Sequence, residues 1–329
     1  MALILDRSKM VGVRAARLIA ALAALSVSSI LAAWPEKPIK VFIGYAPGGS
    51  TDVVARLLAP KLGEKLGQPL IIENKPGGAG DFAAELMLQT PADGYTLLMT
   101  TVAVHAINPG LYKTRKFHPI DDFTPVALIA SYPMILIASP QTTFKTIAEL
   151  KELAARTPTF YSSSGIGSPG HLAGELLVRA LDAPITHVPY KGGSPSVLAV
   201  MTGEAQLNFA TLPAVVPQIR GGKVRAIGLA SRERNLAVPE VPTLIELGVT
   251  DFEVGTWTGL VAPKGLPHDI VDRINAAVAA VVNDPGVKRR LLDEGAEIRL
   301  MAPTEFGTFM RAENLRWVKV VRDAGITPQ

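Results

Sequence analysis

The sequence predicts an α/β protein with two domains, each built on a mainly parallel sheet. Short apolar runs typical of strands alternate, along nearly the whole chain, with segments whose apolar residues recur at helical spacing. A chain of 329 residues with 29 Gly and 26 Pro is long enough for two cores joined by many short loops. No long segment has the composition of a disordered chain.

Residues 1–33 have the layout of a secretory signal peptide. A start with four basic residues precedes an uncharged run of 14 residues, 18–31, and then the small residues Ala32 and Ala33. The apolar run is shorter than the about 20 residues that a membrane-spanning helix needs. We expect cleavage near Ala33 and export of the mature chain. The alternative is an uncleaved signal anchor.

Composition argues against several classes of function. The whole chain has 33 basic and 29 acidic residues, and segment 1–33 holds four of the basic residues and one of the acidic ones. The remaining chain therefore has 29 basic and 28 acidic residues, a net charge of +1. Nothing in that charge favours nucleic acid as a partner. The chain has no cysteine, hence neither a disulfide nor a lipid-modified cysteine. The five histidines show neither HxxxH nor HxH spacing, so we expect no metal and no other cofactor.

Strands are predicted where apolar runs end at turn residues. We expect them at residues 39–45, 69–73, 95–100, 159–163, 185–190, 206–210, 225–230 and 253–262. The apolar run 125–139 contains Pro133 and is predicted to form two short strands.

Helices are predicted from apolar residues that recur on one face. We expect them from Thr51 onwards, over 83–88, 171–181, 195–201, 268–283 and 285–294, and from Pro303 onwards. Pro60 is expected to kink or break the first of them.

Three strands lead through glycine-rich loops into helix starts, at residues 45–52, 162–171 and 190–195. In the third loop we place Ser194 as the N-cap and Pro195 at the first helical position. A helix start offers free N–H groups and partial positive charge, and glycine lets a ligand approach the backbone closely. Each loop alone is better explained as an ordinary β–α turn. Together, at the carboxyl ends of strands, they predict a cleft for a small anion.

Enzyme and nucleotide motifs are incomplete. Gly165, Gly167 and Gly170 match the GxGxxG pattern, but the acidic residue that dinucleotide binding requires about 20 positions later is missing. The chain contains neither GxxxxGK[ST] nor GxSxG. Ser168 and His171 could serve as nucleophile and base, yet such close spacing at a helix start is not by itself a catalytic geometry. We therefore expect a binding protein and not an enzyme.

An ordered set of short motifs runs through the mature chain from Trp34 onwards. The motifs lie at residues 47–52 with 55–56, 73–77, 92–95, 122–126, 165–168 with 171–173, 188–192, 241–248 and 257–260. Each is weak alone. As a set they resemble the substrate-binding proteins of tripartite tricarboxylate transporters, also called Bug receptors.

This resemblance implies a two-domain, periplasmic-binding-protein (Venus-flytrap) fold with the ligand cleft between the two sheets. It implies a small carboxylate ligand (a di- or tricarboxylate, an amino acid or an aromatic acid), held largely by backbone groups and waters of the first two loops. It also implies a periplasmic, monomeric receptor that serves a membrane permease. A sensor kinase is the alternative partner. Asp81 stands where the family more often has Asn, and would bring negative charge near the cleft.

We expect one domain to comprise residues 34–131 and 256–329, and the other residues 132–255. The chain would cross between the domains near residues 130–133 and 255–258.

Two charged residues near the predicted cleft each have two possible roles. Asp52 either caps its helix or accepts a hydrogen bond from a ligand ammonium, and Lys191 is either solvated or adds positive field to the cleft. The candidate ligand-binding residues are Tyr45, Pro47, Gly48, Gly49, Ser50, Thr51, Asp52, Thr101, Ser164, Gly165, Gly167, Ser168, His171, Lys191, Gly192 and Asn208.

Overall fold

The computed structural model describes residues 34–323, so the predicted signal peptide lies outside the described residues. The described part of the chain has both strands and helices throughout, which confirms the α/β class. Its strands are β1 Ile39–Ile43, β2 Leu70–Asn74, β3 Thr96–Thr101, β4 Phe123–Ala138, β5 Thr159–Ser163, β6 Ile185–Pro189, β7 Leu207–Thr211, β8 Arg225–Leu229, β9 Gly255–Pro263 and β10 Glu297–Met301.

The helices alternate with these strands. They are α1 Ser50–Leu66, α2 Asp81–Leu88, α3 Asn108–Leu111, α4 Ile147–Arg156, α5 Pro169–Leu181, α6 Gly193–Thr202, α7 Leu212–Arg220, α8 His268–Val282, α9 Pro285–Asp293 and α10 Pro303–Asp323. A 3₁₀ turn at Gly78–Gly80 precedes α2, and a π-helical turn at Ala103–Ile107 precedes α3. No helix within residues 34–323 is both long and apolar enough to span a membrane.

The strands form a mixed sheet in the order β2-β1-β3-β9-β4-β7-β5-β6, with β8 and β10 also paired to β4. The outer ladders, β1–β2, β1–β3, β5–β6 and β5–β7, are parallel. The central ladders that involve β4 or β9 are antiparallel. Parallel pairing, as predicted, therefore holds at the two ends of the sheet, and not at its centre.

Strand β4 runs unbroken through Pro133, so the prediction of two short strands was wrong. It pairs with β9 as far as Pro133 opposite Gly255, and with β7 from Met134 opposite Thr211. Pro133 therefore lies where β4 exchanges one antiparallel partner for another. At such a change of partner the missing N–H of proline is tolerated.

Helix α1 also continues through its proline, so Pro60 does not break it, and the alternative, a kink at Pro60, stays a prediction. Pro60 lies on the exposed face of the helix. The opposite face is buried through its apolar residues Val54, Leu58, Leu62 and Leu66. Full burial of each such side chain contributes about 1.5–3 kcal/mol, which together outweighs the roughly 3 kcal/mol that an interior proline costs.

Strand β4 holds the molecule's core together. Three apolar clusters pack on the sheet, and β4 contributes to each of them, through Leu128, Ile129 and Ile135 respectively. All three side chains are fully buried. Because a strand buried on both faces is held firmly, the loops at the strand ends are carried on a rigid base.

Candidate functional site

A small cavity of about 50 Å³ lies at the carboxyl ends of β1, β3, β5 and β7. This is the edge where ligands bind in open α/β sheets. None of the side chains that line it carries a charge. The lining residues are Tyr45, Gly49, Ser50, Thr51, Thr101, Met134, Ser164, Pro169, Gly170, Gly193, Ser196, Val197, Asn208, Phe209, Ala210, Thr211, Ala214 and Thr256.

Four helices, α1, α5, α6 and α7, begin at this cavity. The N-cap residues of α1, α6 and α7 are Gly49, Gly192 and Thr211, and none of them makes a side-chain capping hydrogen bond. Only α5 is capped, by Ser168, whose hydroxyl accepts the N–H of His171 over 3.2 Å. Three helix starts therefore direct uncapped N–H groups and partial positive charge towards one small space.

Tyr45 places a neutral hydroxyl at the edge of the cavity. It donates to the carbonyl oxygen of Ala79 over 2.9 Å and lies 3.3 Å from Oγ1 of Thr101. Burial raises the pKa of Tyr45 to about 12, so the phenol stays protonated at neutral pH. It is one of several lining hydroxyl groups, and none of these adds a negative charge that would repel an anion.

The cavity brings together part of the predicted set. The candidate residues that line it are Tyr45, Gly49, Ser50, Thr51, Thr101, Ser164 and Asn208. The other candidates lie beside or behind it: Pro47, Gly48, Asp52, Gly165, Gly167, Ser168, His171, Lys191 and Gly192.

Asp52 stabilises the first loop from behind. Its carboxylate accepts the N–H of Gly48 at 2.9 Å, Nε of Arg56 at 3.0 Å and Nδ2 of Asn74 at 2.9 Å. Burial opposes ionisation of this side chain, but the hydrogen bonds from Arg56, Gly48 and Asn74 hold the pKa of Asp52 below its usual value. Asp52 therefore has a structural role, but not the predicted one of cap, because the N-cap of α1 is Gly49 and no side chain caps it.

Ser168 and His171 hold the second loop in place and do not form a nucleophile–base pair. The imidazole of His171 accepts the N–H of Gly167 through Nδ1 over 3.3 Å and stacks on His187 at 4.3 Å between ring centroids. Nε2 of His187 lies 2.7 Å from Oγ of Ser163. Burial, with the neighbouring His171 as a smaller cause, lowers the pKa of His187 to about 3. Both rings are therefore neutral supports of the loop.

The third loop starts its helix earlier than predicted. Helix α6 begins at Gly193 with Gly192 as the N-cap, so the placement of Ser194 as N-cap and Pro195 at the first helical position was wrong. The hydroxyl of Ser194 is used elsewhere, because it donates to the carbonyl oxygen of Pro47 over 2.9 Å. Gly192 has φ of +140°, and a Cβ there would lie 2.8 Å from the backbone nitrogen of Ala46.

Lys191 and Gly165 line a neighbouring cavity of about 270 Å³, which also borders the Gly78–Gly80 turn. Ser164 lines both cavities. The side chain of Lys191 is exposed to solvent. Among residues 34–323, no Lys or Arg side chain lines the first cavity.

Asp81 does not bring an unpaired charge to the cleft. Its carboxylate forms a two-point ion pair with Arg115, with Nε–Oδ2 at 2.8 Å and Nη2–Oδ1 at 2.7 Å. Asn108 donates to the same carboxylate over 2.7 Å. The two charged side chains are 14% and 8% exposed. Because the pair is buried and neutral overall, Asp81 does not argue against an anionic ligand.

Several lining residues were missed by the sequence analysis. Thr211, at the end of β7, starts α7 in the same strand–turn–helix arrangement as the three predicted loops, but without glycine to mark it. Thr256 lies within β9, and no motif in the surrounding sequence marks it as a site residue. The other missed residues are Met134, Pro169, Gly170, Gly193, Ser196, Val197, Phe209, Ala210 and Ala214.

The arrangement of side chains within residues 34–323 does not suggest a metal site. Within residues 34–323, no group of three His, Asp or Glu side chains lies close enough to hold a metal ion.

Residues 54–326 match the sequence model of the family described as tripartite tricarboxylate transporter family receptor. The chain belongs to this family. A curated relative, protein BugT of Bordetella pertussis, is 31% identical over 295 residues, which cover 89% of this chain and 90% of the relative. The resemblance to the Bug receptors is thereby confirmed, and the protein is a solute-binding receptor and not an enzyme.

Solved structures of the family have the same fold. A protein of R. palustris with adipate is 35% identical, with a TM-score of 0.86 over 90% of this chain and all (100%) of that one. MatC of Rhodopseudomonas palustris with bound malate is 36% identical, with a TM-score of 0.83 over 88% of this chain and 100% of that one. The periplasmic-binding-protein fold is therefore confirmed, and the family's members are periplasmic binding proteins.

Proposed function

We propose that this receptor captures a small carboxylate in the periplasm and delivers it to the permease of a tripartite tricarboxylate transporter. One observation carries the proposal: an uncharged cavity lies at the starts of four helices, three of them uncapped by a side chain. Helix starts favour negative charge, and no lining side chain opposes it.

The energetics of such a site are sufficient without an ion pair. Each exposed helix start stabilises a negative charge by about 0.3–1 kcal/mol. A hydrogen bond to a charged group adds about 1.5–3 kcal/mol, and micromolar binding requires about 8 kcal/mol. Two or three backbone hydrogen bonds, with lining hydroxyls such as Ser50 and Ser164, therefore account for useful affinity.

The two halves of the sheet suggest how the ligand is enclosed. We assign residues 34–131 and 256–329 to one domain and residues 132–255 to the other. In support, β4 exchanges β9 for β7 after Pro133, which lies opposite Gly255. The Ser194–Pro47 hydrogen bond then joins a loop of one domain to a loop of the other. Ligand binding would stabilise this closed arrangement.

Relatives support the ligand class and the location. The two solved relatives described above hold adipate and malate, and both ligands are carboxylates. Segment 1–33, with its basic, apolar and small regions, is the export signal expected of a periplasmic member of the family. Cleavage near Ala33 would release the mature chain.

Binding is tested on the chain that begins at Trp34, stripped of any bound ligand by unfolding and refolding. Native mass spectrometry before stripping identifies the compound that co-purifies. Calorimetry then compares small carboxylates with their primary amides, which keep the size and remove the charge. We expect carboxylates to bind and amides to bind at least about a hundredfold more weakly. Equal binding of acid and amide would contradict the proposal.

Delivery is tested separately. The loaded receptor is added to vesicles that contain a tripartite tricarboxylate transporter permease from the same organism, and uptake of the labelled carboxylate is measured. Uptake that depends on the receptor supports transport. Binding without such uptake, together with activation of a neighbouring sensor kinase, would favour the sensory role.

A further inference from the structure

The second glycine-rich loop packs against a segment of the other proposed domain. This segment, residues 108–112, comprises α3 and Tyr112 and is called the α3 segment. Tyr112 donates through its hydroxyl to the carbonyl oxygen of Ile166 over 3.3 Å. Gly167 has φ of +83°, and a Cβ there would overlap Oδ1 of Asn108. The loop therefore approaches the α3 segment so closely that position 167 has no room for a side chain.

Two buried acceptors fix the side chain of Asn108, which is 0% exposed. Nδ2 of Asn108 donates to the carbonyl oxygen of Gly78 over 3.0 Å and to Oδ1 of Asp81 over 2.7 Å. A carbonyl oxygen can only accept, and Oδ1 of Asp81 already accepts Nη2 of Arg115 over 2.7 Å. A reversed amide would place Oδ1 of Asn108 against these oxygens, so Oδ1 is the atom that faces Gly167. The surface that meets the second loop is therefore held from behind by the Asp81–Arg115 ion pair.

The α3 segment is also connected to the opposite wall of the first cavity. Asn108 holds the Gly78–Gly80 turn, whose central carbonyl oxygen accepts the hydroxyl of Tyr45, a lining residue. A π-helical turn, Ala103–Ile107, joins Asn108 to Thr101, which also lines the cavity. Such turns are rare and occur frequently at functional sites. The segment therefore links lining residues of one proposed domain to a loop of the other.

We propose that Asn108 and Tyr112 are positioning residues that fix the second loop, and with it the start of α5, against the bound carboxylate when the cleft closes. The inference rests on the proposed function and on the proposed division into domains. Neither residue lines the first cavity, whereas Ser164 of the second loop does. The two side chains therefore act on the ligand only through the loop.

A contact that forms only on closure has a kinetic signature. The ligand enters the open form, in which the second loop and the α3 segment are apart, so association does not depend on their contact. Release requires the contact to break, so weakening it speeds dissociation. A residue that only stabilised the fold would not separate the two rates in this way.

The experiment measures association and dissociation rates by stopped flow, with the tightest binder among malate, adipate, citrate, glutamate and benzoate. Gly167→Ala creates the overlap with Asn108 and should bind at least about tenfold more weakly, through faster dissociation. Asn108→Ala removes the overlapping atom. The double variant Gly167→Ala/Asn108→Ala should therefore recover about threefold or more of the lost affinity.

Gly165→Ala is the matched control for this recovery. Gly165 lies in the same loop and also has a positive φ, of +130°, but a Cβ there would meet the carbonyl oxygen of Tyr190 at 3.3 Å and not Asn108. The two glycine variants share the backbone strain of an alanine at positive φ. Adding Asn108→Ala to Gly165→Ala should therefore recover nothing.

Tyr112→Phe tests the hydroxyl bond to Ile166 by itself, and it decides if the Asn108 variants do not fold. Loss of this one hydrogen bond should make dissociation about threefold to tenfold faster and leave the association rate unchanged. Thermal unfolding without ligand should stay near that of the wild type, because the bond is not made in the open form.

The outcomes separate this inference from the proposed function. Equal effects of Asn108→Ala on the two glycine variants would overturn the inference and leave carboxylate capture standing. Dissociation of Tyr112→Phe at the wild-type rate would overturn it as well, as would a change in its association rate alone. If the wild-type chain binds no carboxylate of the set, the proposed function itself fails, and the inference with it.

Discussion

The hydroxyl of Ser194 donates a hydrogen bond to the carbonyl oxygen of Pro47 over 2.9 Å, although 147 positions of sequence separate the two residues. The bond joins the third loop to the first. The two loops are also packed tightly against each other at this point. A Cβ added at Gly48 would lie only 2.8 Å from Oγ of Ser194. The two loops therefore close over the cavity from opposite halves of the sheet.

Removal of the Ser194 hydroxyl should loosen this closure. Ser194→Ala loses one hydrogen bond of about 0.5–1.5 kcal/mol, so we expect ligand dissociation to be about threefold to tenfold faster, with little change in thermal stability. Stopped-flow displacement of a bound carboxylate measures the rate. Ser231→Ala is the control, because the hydroxyl of Ser231 bonds only locally, to the carbonyl oxygen of Glu233. Equal dissociation rates in Ser194→Ala and Ser231→Ala would mean that the Ser194 bond does not hold the closed form.

The buried ion pair between Arg115 and Asp81 should matter for stability. Arg115→Met removes the opposite charge from a carboxylate that is only 14% exposed and leaves it the hydrogen bond from Asn108, so we expect the free energy of unfolding to fall by about 3 kcal/mol. Denaturant unfolding measures it. Lys116→Met is the control, because Lys116 pairs with Glu85 through a side chain that is 81% exposed, and exposed pairs contribute only about 0–1 kcal/mol. A similar fall in the free energy of unfolding of both variants would show that the Asp81–Arg115 pair stabilises the fold no more than an exposed pair does.

His187 should make stability depend on pH. Its pKa in the fold is about 3 against an ordinary 6.5, chiefly because the ring is buried. The folded chain then binds fewer protons than the unfolded chain between these values, so the free energy of unfolding should fall as pH falls from 6.5 towards 3. In His187→Gln, which cannot titrate, this dependence should be shallower.

Denaturant midpoints over that pH range measure the effect. The control is His268→Gln, at an exposed position at the start of α8, and it should retain the wild-type slope. An unchanged slope in His187→Gln would show that the ring is not held neutral beneath the loop.

Much of this fold could be predicted from local pattern. Glycine and proline marked the three loops, and β1, β5 and α5 lie within a few residues of their predicted bounds. The errors arose where tertiary packing overrides local preference. Burial of one face carries α1 through Pro60, and a change of pairing partner accommodates Pro133 in β4. Helix α7 was not predicted, because Pro213 and Pro217 disguise its apolar spacing.

The site was predicted in part for the same reason. The three loops that lead into helices are visible in sequence, and each supplies or flanks the cavity. Thr256 lines the cavity because β9 pairs with β4 there, with Thr256 opposite Tyr132, and no local sequence motif indicates this pairing. The roles of Ser168 and His171 cannot be read from sequence, because only the direction of their hydrogen bonds distinguishes a capped loop from a catalytic pair.

We propose that backbone and hydroxyl groups, and not a lysine, hold the carboxylate. Gly49 lies at the cavity, and its missing Cβ would be 3.8 Å from the backbone nitrogen of Gly193. Gly49→Val would add two methyl groups at the lining of the cavity, between the first and third loops, whereas exposed Lys191 does not line the cavity.

The decisive measurement is calorimetry of both variants with the native carboxylate. We expect Gly49→Val to abolish detectable binding and Lys191→Ala to weaken it by less than about tenfold, or 1.4 kcal/mol. Loss of binding in Lys191→Ala with normal binding in Gly49→Val would show instead that an ion pair holds the ligand.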